Sequence, residues 1–201
     1  MHTQSEKRFV VWVIAAFLTG CVIGGLFRIR RAATNNRDFV RQFDNNIDGN
    51  RDAESFFEKG VVVRAQQDRN FDGKWDYFEW YEQGIIAKAE SDDDFDGKID
   101  GWLTYKSGNL DSSKHDLDGN GEPDVIQKYV NGVIRLSLCR PNGATNNVRI
   151  EFYKGGVIEK EYRDADGDGL IETLVIYDRF GSEARREKVM PALAPTAIKV
   201  D

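Results

Sequence analysis

Cysteine, histidine and proline are all scarce in this chain of 201 residues. Two cysteines, Cys21 and Cys139, cannot build a disulfide framework, so no covalent staple explains the fold. Two histidines, His2 and His115, leave little material for a histidine-based catalytic site or a zinc site. Four prolines against nineteen glycines point to many turns and few rigid linkers. No nucleophile with a base, no phosphate loop and no repeated acid pair outside the loops described below is present, so an enzyme is not expected. Acidic residues outnumber basic ones, 34 to 28, for a formal net charge of −6. Much of that acid recurs at a fixed interval.

The stretch "DRNFDGKWD" (Asp68 to Asp76) returns 24 residues later as "DDDFDGKID" and after 24 more as "DLDGNGEPD". Such loops start at Asp44, Asp68, Asp92, Asp116 and Asp164, and a decayed copy starting at Arg140 fills the gap. Six units of 24 therefore run from Asp44 to about Lys188. Position 14 of the unit holds Phe57, Tyr81, Tyr105, Tyr129, Tyr153 and Tyr177; position 17 holds Gly60, Gly84, Gly108, Gly132 and Gly156. Position 19 holds Val62, Ile86, Leu110, Ile134 and Ile158.

Each unit reads as loop, short strand, tight turn, short strand, with strands such as "YFEWY" and "TLVIY" rich in β-branched and aromatic residues. Asn131-Gly132 is a favoured two-residue hairpin pair. That turn sets position 14 opposite position 19, and position 12 opposite position 21, which would bring Glu79 to Lys88 and Glu151 to Lys160. The predicted fold class is all-β: an elongated array of six β-hairpin repeats joined by acidic loops. About twelve strands at roughly 4.8 Å each would reach of order 55 Å. Stability in such an array is close to a sum of unit and interface terms.

The loops share the pattern D-x-[DN]-x-[DN]-G-x-x-[DE], with side-chain oxygens at 1, 3, 5 and 9 and a backbone carbonyl at 7. Oxygen donors in this number and spacing select calcium over softer metals. Without a cation the carboxylates would repel by about 1 kcal/mol per pair at 4 Å in water. The first half of the loop resembles the EF-hand loop, but position 12 is Ser55, Leu103, Gln127 or Val175 in four of the five loops. Only the second loop has an acid there, Glu79, which reads as the strand partner of Lys88 rather than a ligand. With an acid at position 9 instead, the loop looks like the calcium-binding β-hairpin loop of integrin-type and related DxDxDG repeat proteins. The similarity covers nine residues per unit and implies calcium.

Carried over position by position, the resemblance implies these ligands: Asp44, Asn46, Asp48 and Asp52 in loop 1, and Asp68, Asn70, Asp72 and Asp76 in loop 2. Loop 3 supplies Asp92, Asp94, Asp96 and Asp100; loop 4 supplies Asp116, Asp118, Asn120 and Asp124. Loop 5 supplies Asp164, Asp166, Asp168 and Glu172. The decayed copy has Arg140, Asn142, Ala144 and Val148 at the same four places and should bind nothing.

Residues 1–8 form a basic segment ahead of an uncharged run from Phe9 to Phe27, after which Arg28, Arg30 and Arg31 follow. Nineteen apolar or small residues are just enough to span a bilayer as a helix. "LTGC" (Leu18 to Cys21) instead resembles the lipobox of bacterial lipoprotein signal peptides, which would make Cys21 a lipidation site. Both readings attach the chain to a membrane. Residues 28–43 read as a linker, 44–188 as the repeat domain and 189–201 as a disordered tail.

Two functions are compatible with these features. The first is a membrane-tethered calcium-binding structural or interaction module, exported to the cell envelope, where calcium is plentiful. The second is a glycan or cell-wall binding module using the exposed aromatics Trp75, Trp80 and Trp102. The expected partners are the membrane and a protein or glycan, with no nucleic acid.

Overall fold

The computed structural model describes residues 37–140 and 148–193. They form a single sheet of thirteen antiparallel strands in strict sequence order, with open edges at the first and last strand. Strand β1 (Phe39–Phe43) precedes loop 1. Six hairpins follow: β2 (Ala53–Glu58) with β3 (Val61–Gln67), β4 (Tyr77–Glu82) with β5 (Ile85–Ser91), and β6 (Gly101–Lys106) with β7 (Asn109–His115). Then come β8 (Val125–Val130) with β9 (Val133–Cys139), β10 (Arg149–Lys154) with β11 (Val157–Arg163), and β12 (Leu170–Tyr177) with β13 (Glu183–Leu193). The six repeated hairpins are thus present, and a thirteenth strand is added in front of them.

Two boundaries differ from the sequence reading. β1 lies inside the segment assigned as linker, and β13 runs on to Leu193, where it pairs with Leu170. Both are edge strands, each with a single neighbour among the described residues, so neither needs the complete two-sided pattern that the repeat supplies. The apolar run Phe9 to Phe27 and the lipidation candidate Cys21 lie outside the described residues. Among the described residues, no helix is long and apolar enough to cross a membrane.

Each of the first five hairpins turns on two residues that both have positive φ, such as Gln83 (52°) and Gly84 (80°) or Asn131 (52°) and Gly132 (75°). This geometry matches the right-handed twist of the flanking strands. Two strand residues beyond each turn, the register slips at a β-bulge, for example between Trp80 and Tyr81. Tyr81 still faces Ile86, as the turn predicts, but Glu79 faces Ala89, and Lys88 faces Trp80. The expected pairs Glu79 with Lys88 and Glu151 with Lys160 therefore do not form. One extra residue per hairpin sends the acid and the lysine to opposite faces of the sheet.

One face carries the column of Phe57 and the five tyrosines. Between them small and large side chains alternate across the strands: Ala89 sits between Glu79 and Leu103, and Ser113 between Leu103 and Gln127. The larger neighbours close over the small ones, leaving Ala89 and Ser113 buried. The opposite face is polar and aromatic up to β7 and becomes apolar beyond it. There Leu136, Leu138, Val148, Ile150 and Ile171 form the buried cluster, flanked by Ile126, Phe152 and Tyr162. Val148 occupies the ninth place of the decayed copy, where every other loop has an acid. That unit has a core residue at the place where the other five have an acid.

Candidate metal centre

The five acidic loops lie along one edge of the sheet: loop 1 joins β1 to the first hairpin, and each of the others joins the last strand of one hairpin to the first strand of the next. In each, the position-1 carboxylate accepts the amide of the position-6 glycine: Gly49 to Asp44 (2.9 Å), Gly73 to Asp68 (2.7 Å), Gly97 to Asp92 (2.8 Å), Gly121 to Asp116 (2.6 Å) and Gly169 to Asp164 (2.9 Å). The position-9 acid accepts the amide of position 2, as in Arg69 to Asp76 (2.7 Å), Leu117 to Asp124 (2.7 Å) and Ala165 to Glu172 (2.8 Å). These two contacts fold the loop inward on its own acids. Asp68, Asp92, Asp116 and Asp164 are buried at position 1, as are Asp52, Asp76 and Asp124 at position 9.

Neighbouring loops are linked through the backbone. The amide of Asp68 donates to the carbonyl of Asp52 (2.8 Å), Asp92 to Asp76 (2.8 Å), Asp116 to Asp100 (2.8 Å) and Arg140 to Asp124 (2.7 Å). The first residue of each loop thus hangs from the ninth residue of the one before it.

Three loops converge most closely. Asp164, Asp166, Asp168 and Glu172 each offer a carboxylate oxygen, all within 4.8 Å of one another; so do Asp92, Asp94 and Asp100, and Asp116, Asp118 and Asp124. Asp96 stands apart from its cluster, since its carboxylate holds Lys98 at 3.1 Å. Loops 1 and 2 hold three acids each, as loop 4 does, but have the amide at position 3 (Asn46 and Asn70) rather than position 5, and their carboxylates do not gather as closely. Glu79 does not point to a loop: it accepts the Tyr81 hydroxyl at 2.6 Å on the tyrosine face. Asn142 and Ala144 of the decayed copy lie outside the described residues.

The electrostatics differ from loop to loop. The Asp96 carboxyl is held below the usual range by its side-chain and backbone bonds to Lys98, and Asp48 by bonds to Asn50 and Asn46. Burial works against the ionised form of Asp116, but amides from Gly121, Gly119, Asn120 and Asp118 outweigh it and lower the pKa. Asp100 is pushed up, first by burial and then by the charges of Asp93 and Asp94. In loop 5, Glu172 Oε2 is buried without a hydrogen-bond partner, beside three other carboxylates. A cation would relieve both situations.

Two features of the loops escaped the sequence reading. Position 4 is left-handed in every loop, at Ile47 (65°), Phe71 (63°), Phe95 (63°), Gly119 (72°) and Gly167 (80°). The glycines of the last two loops carry the only trace of it in the sequence. The second feature is Arg69, at position 2 of loop 2, whose guanidinium reaches Asp76 (2.6 Å) and Asp93 of loop 3 (2.9 Å). It also donates to the carbonyl of Asp92 (2.7 Å) and lies over the rings of Tyr77 and Phe95. Loop 2 carries a cation of its own.

Comparison with protein-family models and with curated proteins finds no match to this chain.

Proposed function

We propose that the protein is a calcium-binding structural and interaction module, tethered to a membrane, whose loops are calcium sites of the DxDxDG kind. The observation that carries this reading is loop 5. Four carboxylates meet within 4.8 Å there, and the buried Glu172 Oε2 lacks a partner. Oxygen-only donors favour a hard cation, and a loop that also contributes backbone carbonyls suits the flexible, larger coordination shell of calcium better than the rigid octahedron of magnesium. The residues to hold it are positions 1, 3, 5 and 9, with 9 in the place of the twelfth-position glutamate of an EF-hand.

Calcium here is architectural. Loops 2 to 5 each join two hairpins, loop 1 joins β1 to the first, and neighbouring loops are tied by one backbone bond, so neutralising one loop stiffens the elements on both sides of it. Five divalent ions would carry the chain from a formal −6 to about +4. Sites without a bidentate twelfth ligand bind in the range of about 10⁻⁴–10⁻³ M typical of extracellular modules. Filling them requires a calcium-rich compartment, which is the argument for export. The tether is the Phe9 to Phe27 run, either as an uncleaved span or through lipid on Cys21.

Calorimetric titration of the full chain in mild detergent tests the reading. About five calcium ions per chain are expected, with magnesium at least tenfold weaker. A stoichiometry of zero or one overturns it.

A further inference from the structure

On the face opposite the tyrosines, β6 and β7 frame a groove of about 270 Å³ lined by Trp102, Thr104, Ser112, Lys114, Gly121 and Pro123. Two cross-strand rows build it. In one, Trp102 lies between Glu90 and Lys114; in the other, Thr104 lies beside Lys88, and Ser112 beside Lys128. The Thr104 and Ser112 hydroxyls are 2.5 Å apart, so one donates to the other and the pair keeps one free hydrogen and open lone pairs.

The charge of this patch opposes that of the chain. Lys88, Lys114 and Lys128 surround the groove, and Glu90 is already engaged by Lys88 at 2.5 Å. Among the described residues neither Lys114 nor Lys128 makes an ion pair. The tryptophans also divide. Trp80 is covered by the Lys88 ammonium 4.7 Å from its ring centre and tilts against Phe78, whereas Trp75 sits beside Asp72 and Asp76 of loop 2. Trp102, half-buried, has neither a cation nor a ring against it among the described residues. An aromatic plane, a hydroxyl pair and an unpaired ammonium converge on one groove.

We propose that the Trp102 groove binds an acidic sugar, a uronate unit of a polysaccharide. The carbon face of the pyranose ring lies on the indole. Its hydroxyls exchange hydrogen bonds with Thr104 and Ser112, and its carboxylate pairs with Lys114. Lys128, one strand further on, faces the next acidic unit. This goes beyond the calcium reading, since no loop carboxylate lines the groove.

The test is a nuclear magnetic resonance titration of the calcium-saturated full chain in detergent, following the Trp102 indole N–H. Trigalacturonate should produce a saturable shift there, and neutral maltotriose should bind about tenfold more weakly or not at all. Lys114→Gln, at an exposed position, should weaken trigalacturonate binding about tenfold, and Trp80→Phe should leave it unchanged. Trp102→Ala should abolish binding; the Lys114 variant decides the matter if that one fails to fold. No saturable shift at Trp102, equal binding of maltotriose, or an unchanged affinity in Lys114→Gln overturns the proposal. So does equal competition by inorganic phosphate, which would mark a general anion patch. Shifts confined to Gly49, Gly73, Gly97 and Gly169, the loop glycines outside the groove, would place the sugar on the calcium ions instead and also overturn it.

Discussion

Tyr81 donates its hydroxyl proton to Glu79 Oε2 at 2.6 Å, two residues back along the same strand. Tyr153 repeats the contact with Glu151 at 2.7 Å, and Tyr129 makes it with Gln127 at 2.7 Å. Tyr177 reaches the buried Glu161 across the strand pair at 2.5 Å instead. The column is therefore a ladder of hydrogen bonds as well as a run of rings.

That ladder makes the sheet sensitive to alkali. The hydroxyls of Tyr77, Tyr81, Tyr105, Tyr153 and Tyr177 are all pushed above the ordinary 10.0, chiefly by burial and then by neighbouring acids or tyrosines. The folded state holds these protons more tightly than the unfolded state does. Their contribution is thus complete below pH 10 and is lost as pH rises from there toward the raised values. Thermal stability should fall steeply above pH 10, and tyrosinate absorbance should appear together with unfolding. Tyrosinate forming near pH 10 in an intact sheet would refute the ladder. Tyr81→Phe, which strands the Glu79 carboxylate, should cost about 1–2 kcal/mol at neutral pH.

Arg69 should matter more without calcium than with it. Its guanidinium neutralises Asp76, which is buried, and straps loop 2 to loop 3 through Asp93. Arg69→Met keeps much of the apolar stem but removes the charge. In chelator it should lose about 1–2 kcal/mol, a figure reduced for the partial exposure of the pair. In saturating calcium the loss should shrink, since the ion replaces the guanidinium as counter-charge. Equal losses in both conditions, measured by urea unfolding, would mean that Arg69 acts through packing on Tyr77 and Phe95 alone.

Ile47 is a β-branched residue held at φ 65° with 89% of its surface exposed. That backbone costs an L residue about 1–2 kcal/mol, and almost no burial offsets it. Ile47→Asn, which tolerates the left-handed region, should raise stability by about 0.5–1 kcal/mol; Ile47→Gly should gain less, because glycine adds freedom to the unfolded chain. The melting temperature checks it. A decrease for both variants would show that the isoleucine side chain is held by something the loop geometry does not reveal.

The hairpins were legible in the sequence because their signals are local. A tyrosine, a glycine and an aliphatic residue at fixed spacing specify a two-residue turn and its first pairs, and Tyr81 does face Ile86. The bulge was not legible. It depends on the twist that the turn imposes on the strands, and one extra residue was enough to separate Glu79 from Lys88. The loops followed the same division. Their acids and their position-6 glycine are written in the pattern, whereas the left-handed fourth residue is hidden wherever Ile47, Phe71 or Phe95 occupies it. Arg69 stood in plain view, but its reach into loop 3 depends on how far apart the sheet holds neighbouring loops.

The five loops should fill in a set order. Loop 5 brings four carboxylates within 4.8 Å and has a buried oxygen to satisfy, so it should bind calcium first. Loops 3 and 4 bring three each and should follow. Asp96 must first release Lys98, which at 3.1 Å in an exposed pair is a small cost. Loops 1 and 2 come last, because their carboxylates gather less closely than those of loop 4 and Arg69 already occupies Asp76. The position-6 glycines report each loop separately, since their amides bond directly to the position-1 carboxylates. In a calcium titration followed by amide resonances, Gly169 should move first, then Gly97 and Gly121, and finally Gly49 and Gly73. Glu172→Gln leaves three carboxylates in loop 5, so Gly169 should lose its lead and move with Gly97 and Gly121, while the others keep their sequence. Simultaneous movement of all five would instead mean that the backbone bonds between loops make the array bind as one unit. Movement of Gly73 ahead of Gly169 would contradict the role given to Arg69.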